Sequence, residues 1–293
     1  MRIVFIGAVE FSRRALTALL DMGAEVVGVC TIKESAFNAD HCDLSGICGE
    51  HGTPWTYAAD INSPQTLEWI ASRRPDVLFC FGWSRLLQRP LLQLAPMGVV
   101  GFHPAALPAN RGRHPIVWAL ALGLRETATT FFRMDDGADR GDILSQYTVS
   151  IDSADDAASL YEKITTSALE QIRLMVPQLA SGTLRGTPQD HTHANSWRKR
   201  GKADGIIDWR MSARSIHNLV RALAKPYIGA HFNYQGQEVK VWKAQGPVEV
   251  ADNLEPGKIL EAGPDGVLVK CGEQAIRLQR TEPEFLPGVG EYL

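Results

Sequence analysis

His103 is the residue of this chain whose surroundings in sequence most favour chemistry. It lies in 101-GFHPAALPANRGRHPIVWAL-120, a stretch with three prolines, two glycines, two histidines and two arginines. That stretch follows directly on a buried apolar run, 98-GVVGF-102. A histidine in a core is usually structural, but this one opens a rigid, polar loop. Pro104 and Pro108 restrict the loop, and Gly112 permits a turn. Arg111 and Arg113 suit either solvent or an anionic ligand. A second segment, 134-MDDGADRGDIL-144, carries Asp135, Asp136, Asp139 and Asp142. Its spacing is not that of a calcium loop. An acidic hairpin turn explains it; so does a carboxylate set beside a histidine, where it would orient the ring.

These loops need elements that position them. Arg2–Ile6 reads as a strand ending at Gly7, Ser12–Met22 as an amphipathic helix with Gly23 after it, and Ala24–Cys30 as a second strand. This is a βαβ unit, which implies a parallel sheet. Asp43–His51 is helical in pattern, and Pro64–Ser72 follows a Ser63 cap. Asp76–Phe81 is a continuous apolar strand, as in the middle of a parallel sheet. Pro90–Leu94 is a short helix and Gly98–Phe102 a further buried strand. Ligand sites in open α/β sheets lie beyond the carboxyl ends of strands, which is where His103 falls. His114–Gly123 reads as a helix, Thr127–Met134 and Ile143–Ile151 as strands, and Asp155–Ala180 as a long helix. Thr183–Asp204 is polar, with Arg198, Lys199, Arg200 and Lys202 clustered. Ser212–Leu223 is helical, and short strands and turns from Tyr227 onward predict a small antiparallel barrel or sandwich.

Composition narrows the classes. The chain has 293 residues, enough for one large and one small domain, and a net charge of −3. Such a charge exerts no general pull on nucleic acid or anionic membrane. No apolar run approaches the roughly 20 residues that span a bilayer. The N-terminus reads as a strand rather than a signal peptide, so a cytoplasmic location is expected. Five cysteines without a CxxC predict reduced core thiols. Gly7 begins GAVEFS, not G-x-G-x-x-G, so a bound dinucleotide is not expected. The histidines, including His191 and His193, are too scattered for a zinc site, and no metal is expected. Neither G-x-S-x-G nor a P-loop is present.

FHPAALPANRGRHPIVWAL resembles the HPSLLP-x-x-RG-x-x-P signature of folate-dependent formyltransferases. Asp135, Gly137, Asp139, Gly141 and Ile143 match the family's D-x-G-x-D-x-G-x-I/L loop, in the same order along the chain. DGIIDW (204–209), IHNLVRAL (216–223), PYIGAHF (226–232) and VKVWKA (239–244) resemble the second domain of the methionyl-tRNA and amino-sugar formyltransferases. The resemblance implies a Rossmann-like, mostly parallel α/β domain over 1–190, a linker over 191–203 and an OB-like, mainly β domain over 204–293. It implies transfer of a formyl group from 10-formyltetrahydrofolate to an amine. His103 and Asp139 then correspond to the family's catalytic histidine and aspartate. An amine attacks the formyl carbon and a tetrahedral oxyanion develops; the imidazole moves the proton or stabilises that charge.

One position departs from the family. Gly101 stands where the pattern N-x-H has asparagine. Loss of one oxyanion donor costs on the order of 10²–10³ in rate. A water, a backbone N–H or Asn110 would have to compensate, or transfer is impaired. The resemblance places folate against Phe81, Gly82, Trp83, Arg85, Leu86 and Leu87, with Asp135, Asp136, Gly137 and Ala138 opposite; core packing accounts equally well for Trp83. For the amine, 31-TIKESAFNADHCDLSG-46 has a single Lys, not the basic insertion usual in methionyl-tRNA formyltransferases. Phosphate binding needs clustered Lys and Arg. A small amine is therefore expected. The RGRHP segment and the IHNLVRAL…KPYIGAHF segment resemble those of sugar-nucleotide N-formyltransferases, which implies an amino sugar linked to dTDP, UDP or GDP, contacted by Arg111, Arg113, Trp118, Asn218, Arg221 and Tyr227. Nucleic acid and membrane are not expected partners; a homodimer stays open.

Overall fold

A computed structural model describes residues 1–35 and 39–293. Ala36, Phe37 and Asn38, within the segment read as lacking a basic insertion, lie outside the described residues. In chain order the first elements are β1 (Ile3–Ile6), α1 (Glu10–Asp21), β2 (Val26–Thr31), α2 (Ser45–Glu50), β3 (Trp55–Tyr57), α3 (Pro64–Ser72), β4 (Val77–Cys80), α4 (Arg89–Leu92) and β5 (Val99–His103). Then come β6 (Arg111–Gly112), α5 (Pro115–Ala121), β7 (Glu126–Arg133), β8 (Ile143–Ser150), α6 (Ala157–Ala180), β9 (Ser196–Trp197) and α7 (Ala213–Ala222). Five strands close the chain: β10 (Ala230–Tyr234), β11 (Gln237–Val248), β12 (Ile259–Gly263), β13 (Gly266–Lys270) and β14 (Ala275–Glu282).

Packing divides the chain into two compact units. The first comprises Met1–Gly112, Thr127–Val149 and Lys163–Ser196; the second comprises Arg113–Glu126, Ser150–Glu162 and Trp197–Leu293. Neither unit is one continuous stretch of sequence. The reason is local packing: α5 lies against α7, and Ile151 N–H donates to the Arg125 carbonyl. The expected linker over 191–203 is structured too, with a 3₁₀ turn at His191–His193 and strand β9.

The sheet that opens the chain runs β3-β2-β1-β4-β5-β7-β8. Its first four pairings are parallel, and β5 pairs with β7 antiparallel. The strand order reverses at β1, so the carboxyl ends of β1, β4 and β5 face the crevice where such sheets bind ligands. β3 escapes the sequence reading because it is three residues long and its Trp55 and Tyr57 are exposed, so no apolar pattern marks it. One face of the sheet buries Val4, Ile6, Leu78, Cys80 and Val99 with Ile70 of α3 and Leu91 of α4. The other carries rings: Phe81 stacks on Phe79 at 5.1 Å and meets Phe5 and Phe131 edge-on at 5.6 and 5.2 Å.

At the reversal point the backbone segments approach closely. A Cβ on Gly7 would lie 2.5 Å from Ser12 Cβ and 2.6 Å from the Phe81 carbonyl oxygen. The buried Ser12 hydroxyl accepts from Val9 N–H at 3.1 Å and donates to the Phe81 carbonyl at 2.6 Å. One side chain thus ties the start of α1 to the end of β4. The cysteines are unpaired; burial pushes the Cys30, Cys48, Cys80 and Cys271 thiols up to about 12. They are not nucleophiles at neutral pH.

The second region contains the antiparallel sheet β10-β11-β14-β13-β12. Its apolar face includes Phe232, Val239, Val241, Ile276 and Leu278, all buried. No helix among the described residues is long and apolar enough to cross a membrane.

Ser12→Ala would leave two buried backbone groups unpaired. We expect it to lower the unfolding free energy by about 1–3 kcal/mol, read by urea titration. A change within the scatter of a surface mutation would mean that Ser12 does not join the start of α1 to the end of β4.

Candidate active site

His103 ends β5 opposite Thr130 of β7 and is 5% exposed, so its ring is held by protein rather than by solvent. The loop beyond it hangs from β7 and β8 side chains. Thr130 Oγ1 donates to the Ala105 carbonyl at 2.6 Å, and Gln146 Nε2 donates to the Leu107 carbonyl at 2.8 Å. The loop then turns back at Asn110, whose φ of +64° is a left-handed conformation that asparagine tolerates. This return brings the Asn110 carbonyl to 2.8 Å from His103 Nε2. A carbonyl only accepts, so Nε2 carries the hydrogen. In the neutral ring, Nδ1 is left with its lone pair. Asp139 Oδ2 stands 3.7 Å from that Nδ1, near enough to stabilise positive charge without being hydrogen-bonded to it.

Asp139 is fixed from both its side chain and its backbone. Gly112 N–H donates to Oδ2 at 2.9 Å. Gln189, buried, donates from Nε2 to the carbonyls of Asp139 at 3.0 Å and Gly141 at 2.7 Å. Asp139 itself sits at φ +56°, a strained conformation that these bonds hold in place. Gln189 Oε1 accepts from Arg111 Nη2 at 2.6 Å, and the same nitrogen donates to His191 Nδ1 at 2.9 Å. Asn195 completes the frame by accepting from Asn110 N–H through Oδ1 and from Arg111 N–H through its carbonyl. Gln189, His191 and Asn195 are therefore structural partners of the site that sequence reasoning missed. Their signal was a polar stretch, 188-PQDHTHAN-195, that reads as linker.

The other expected residues fall into distinct places. Asn110 meets His103 through its carbonyl, not its side-chain amide. Arg111 is 7% exposed, committed to Gln189 and His191, and its Nε is buried without a partner; burial pushes its pKa down. Phe81 is fully buried in the ring cluster, and Leu87 packs in the core. Arg85 donates to the Ala59 carbonyl, and Leu86 is exposed. Gly82 has φ +72°, and a Cβ there would strike Val9 Cγ2 at 2.3 Å. Trp83 packs on the core cluster, yet its buried Nε1–H has no partner. Asp135 Oδ1 accepts from Gly137 N–H at 2.9 Å, which shapes the turn; Asp136 lies 3.8 Å from Arg89, and Ala138 is exposed.

In the second unit, Trp118 Nε1 donates to the Arg198 carbonyl at 3.0 Å, and Arg200 lies 4.5 Å from the ring centre. Asn218 Oδ1 accepts from Arg221 Nε at 3.0 Å. Arg113 is exposed with its N–H on the Trp197 carbonyl, and Tyr227 is half-buried.

Gly101 sits in β5 opposite Phe132. A Cβ there would lie 2.8 Å from Met134 Cγ and 3.0 Å from Phe132 Cε1 and Cζ. The space that a larger side chain would use is filled by these two residues. We expect Gly101→Asn to destabilise the fold by about 1–3 kcal/mol through overpacking, with Gly101→Asn/Met134→Ala recovering part of the loss in thermal unfolding. Equal stability of the wild type and Gly101→Asn would show that the space is open. Gln189→Leu removes three hydrogen bonds at once; a loss of about 2–4 kcal/mol is expected in denaturant unfolding.

Comparison with known proteins agrees with this architecture. Residues 1–176 match the family model for formyl transferase, and 199–285 match that for the formyl transferase C-terminal domain. The fold is similar to HypX from Aquifex aeolicus solved with tetrahydrofolic acid: TM-score 0.69, 19% identity, 96% of this chain and 44% of that one. The chain thus spans less than half of HypX. It is also similar to an N-formyltransferase from Helicobacter canadensis solved with folinic acid and dTDP-3-aminofucose: TM-score 0.74, 16% identity, 94% of this chain and 98% of that one. Methionyl-tRNA formyltransferase from Clostridium thermocellum matches at TM-score 0.60 and 18% identity, over 84% of this chain and 93% of that one. With both halves matched by family models, and with its histidine and aspartate loops side by side, the chain belongs to the formyl transferase family.

Proposed function

We propose that this protein moves the formyl group of 10-formyltetrahydrofolate to the amine of a nucleotide-linked amino sugar. The observation that carries the chemical part is the pairing of His103 Nδ1 with Asp139 at 3.7 Å, at the carboxyl end of β5. Family membership supplies the reaction type. The sugar is supported by the Helicobacter canadensis relative, solved with dTDP-3-aminofucose, and by WlaRD, described as a sugar 3N-formyl transferase and solved with dTDP and 5-N-formyl-THF.

The residues present fit a folate. Trp83 offers a buried N–H without a partner among the described residues and packs, like Met134, against the apolar core cluster, which suits a flat heterocycle that needs one donor and an apolar wall. Gly82, Trp83 and the Asp135–Ala138 turn would hold it. When bound, 10-formyltetrahydrofolate supplies an activated formyl carbon. His103 accepts a proton from the incoming amine at Nδ1, because Nε2 is committed to Asn110. Asp139 then stands against the imidazolium and lowers the cost of its charge. Gly112 N–H keeps the carboxylate from rotating away, and Gln189 holds the backbone that carries it. Gly101 offers no side-chain donor, so the protonated His103 ring is what this chain would set against the negative charge of transfer, and the same proton would then pass to the departing folate nitrogen.

His103→Ala should lower kcat by about 10²–10⁴ and Asp139→Ala by a comparable factor, with folded structure kept by circular dichroism. The deciding experiment offers dTDP-, UDP- and GDP-linked amino sugars with 10-formyltetrahydrofolate and follows tetrahydrofolate release. Turnover with one of them is expected. Formylation of charged initiator tRNA with no reaction on any sugar would overturn the substrate class. Folate binding without turnover on any amine would mean that the Gly101 position has silenced the site.

A further inference from the structure

The second unit holds a cavity of about 630 Å³ whose lining shares Arg221 with the expected sugar-nucleotide contacts but includes no residue around His103. Three cations reach it from different elements. Lys225 follows α7, Lys243 belongs to β11, and Arg280 belongs to β14. Lys243 and Arg280 are direct partners in the β11–β14 register. Like charges directly opposite on a sheet repel and destabilise it. Neither side chain has an acidic partner among the described residues. The register of β11 also slips on both sides of Lys243, and such bulges re-aim side chains.

The rest of the lining is already committed. Trp242 is held by Nε1 donating to Glu282 Oε2 at 2.8 Å, and Lys225 Nζ lies 5.4 Å from its ring centre. Arg221 Nη1 donates to the carbonyls of Asp152 and Asp155 at 3.2 and 3.0 Å. The Asp155 carboxylate accepts from Asp152 N–H and the Ser159 hydroxyl, and Asp156 accepts from Ser159 N–H. These acids cap the segment before α6, so they are spent on backbone and hydroxyl donors. Burial and Arg221 hold His217 below its ordinary pKa, so it lines the cavity as a neutral ring.

The geometry points to a binding site for a small phosphorylated ligand, with Lys225, Lys243 and Arg280 on the phosphate and Trp242 beside its less polar part. A phosphate would remove the repulsion that Lys243 and Arg280 otherwise impose on each other. The cavity is of the size that encloses a nucleotide-sized molecule. Asp155 and Asp156 in the same lining disfavour an extended polyanion. This inference goes beyond formyl transfer, since none of these four residues belongs to the His103 site, and its test does not depend on turnover.

The test is calorimetric titration of the full chain with inorganic pyrophosphate, repeated on Lys243→Gln/Arg280→Gln. The wild type should bind at this site and the double variant at least about tenfold more weakly. Pyrophosphate should raise the Tm of the wild type but not of the variant. Without ligand the variant should unfold at the same or a higher temperature, because the opposed charges are gone. Absence of binding, or equal affinity in both proteins, overturns the proposal. Tighter binding of a short RNA duplex than of pyrophosphate, lost in the same variant, overturns the small-ligand class.

Discussion

The carbonyl of Asn110 decides which nitrogen of His103 is free, and most of the candidate site exists to keep that carbonyl where it is. A 2.8 Å contact to Nε2 leaves Nδ1 as the basic atom. The contact requires the loop to reverse at a left-handed asparagine, and the reversal requires partners for the backbone groups it exposes. Asn195 supplies them at Asn110 and Arg111. Arg111 then reaches Gln189, and Gln189 holds the backbone of the Asp139 turn. The histidine and the aspartate are thus joined twice, once across the 3.7 Å gap at Nδ1 and once through a polar chain that runs from exposed Asn195 to buried Arg111 and Gln189. Its buried members are stable there only when they are satisfied. Arg111 Nε is the one nitrogen of that guanidinium left orphaned.

The same economy governs the sheet beneath. Where strand order reverses, three strand ends must approach without side chains in the way, and Gly7 and Gly82 make that room. Ser12 occupies it with a hydroxyl small enough to fit and polar enough to pair both backbones. The ring cluster around Phe81 supplies apolar burial just behind this point, about 1.5–3 kcal/mol for each fully buried ring. A rigid floor is what lets the crevice above it be polar. The edge of that crevice carries His103 and the Asp139 turn.

The second unit applies a different rule. Its sheet tolerates two cations set face to face on neighbouring strands, beside a tryptophan anchored by Glu282. Sheets normally avoid that pairing unless something answers it. In the first unit the acid and the arginine of the His103 site are tied into hydrogen bonds with Gly112, Gln189 and His191. In the second, Lys243 and Arg280 line the same cavity.

The amino-acid sequence by itself determined the alternation of elements, the strand that ends in His103, the Ser63-capped helix α3 and the antiparallel character of the last third. Each rests on a short-range pattern, period 2, period 3.6 or a cap, that needs no distant partner. It also singled out His103, Asp139 and the anomalous Gly101, because these residue types recur in a recognisable order. Tertiary structure alone decided the rest. It put Phe81 and Leu87 in the core, buried Arg111 on Gln189 and filled the space at Gly101 with Phe132 and Met134. It turned an apparent linker at Gln189–Asn195 into the frame of the site, and it divided the chain into units that are not continuous in sequence. The short edge strand β3 likewise became visible only through its pairing with β2. These are long-range facts: a polar residue looks the same in a sequence whether it meets water or a buried carbonyl, and only the folded chain brings that carbonyl within 3 Å, as it does for Gln189 Nε2 and Asp139.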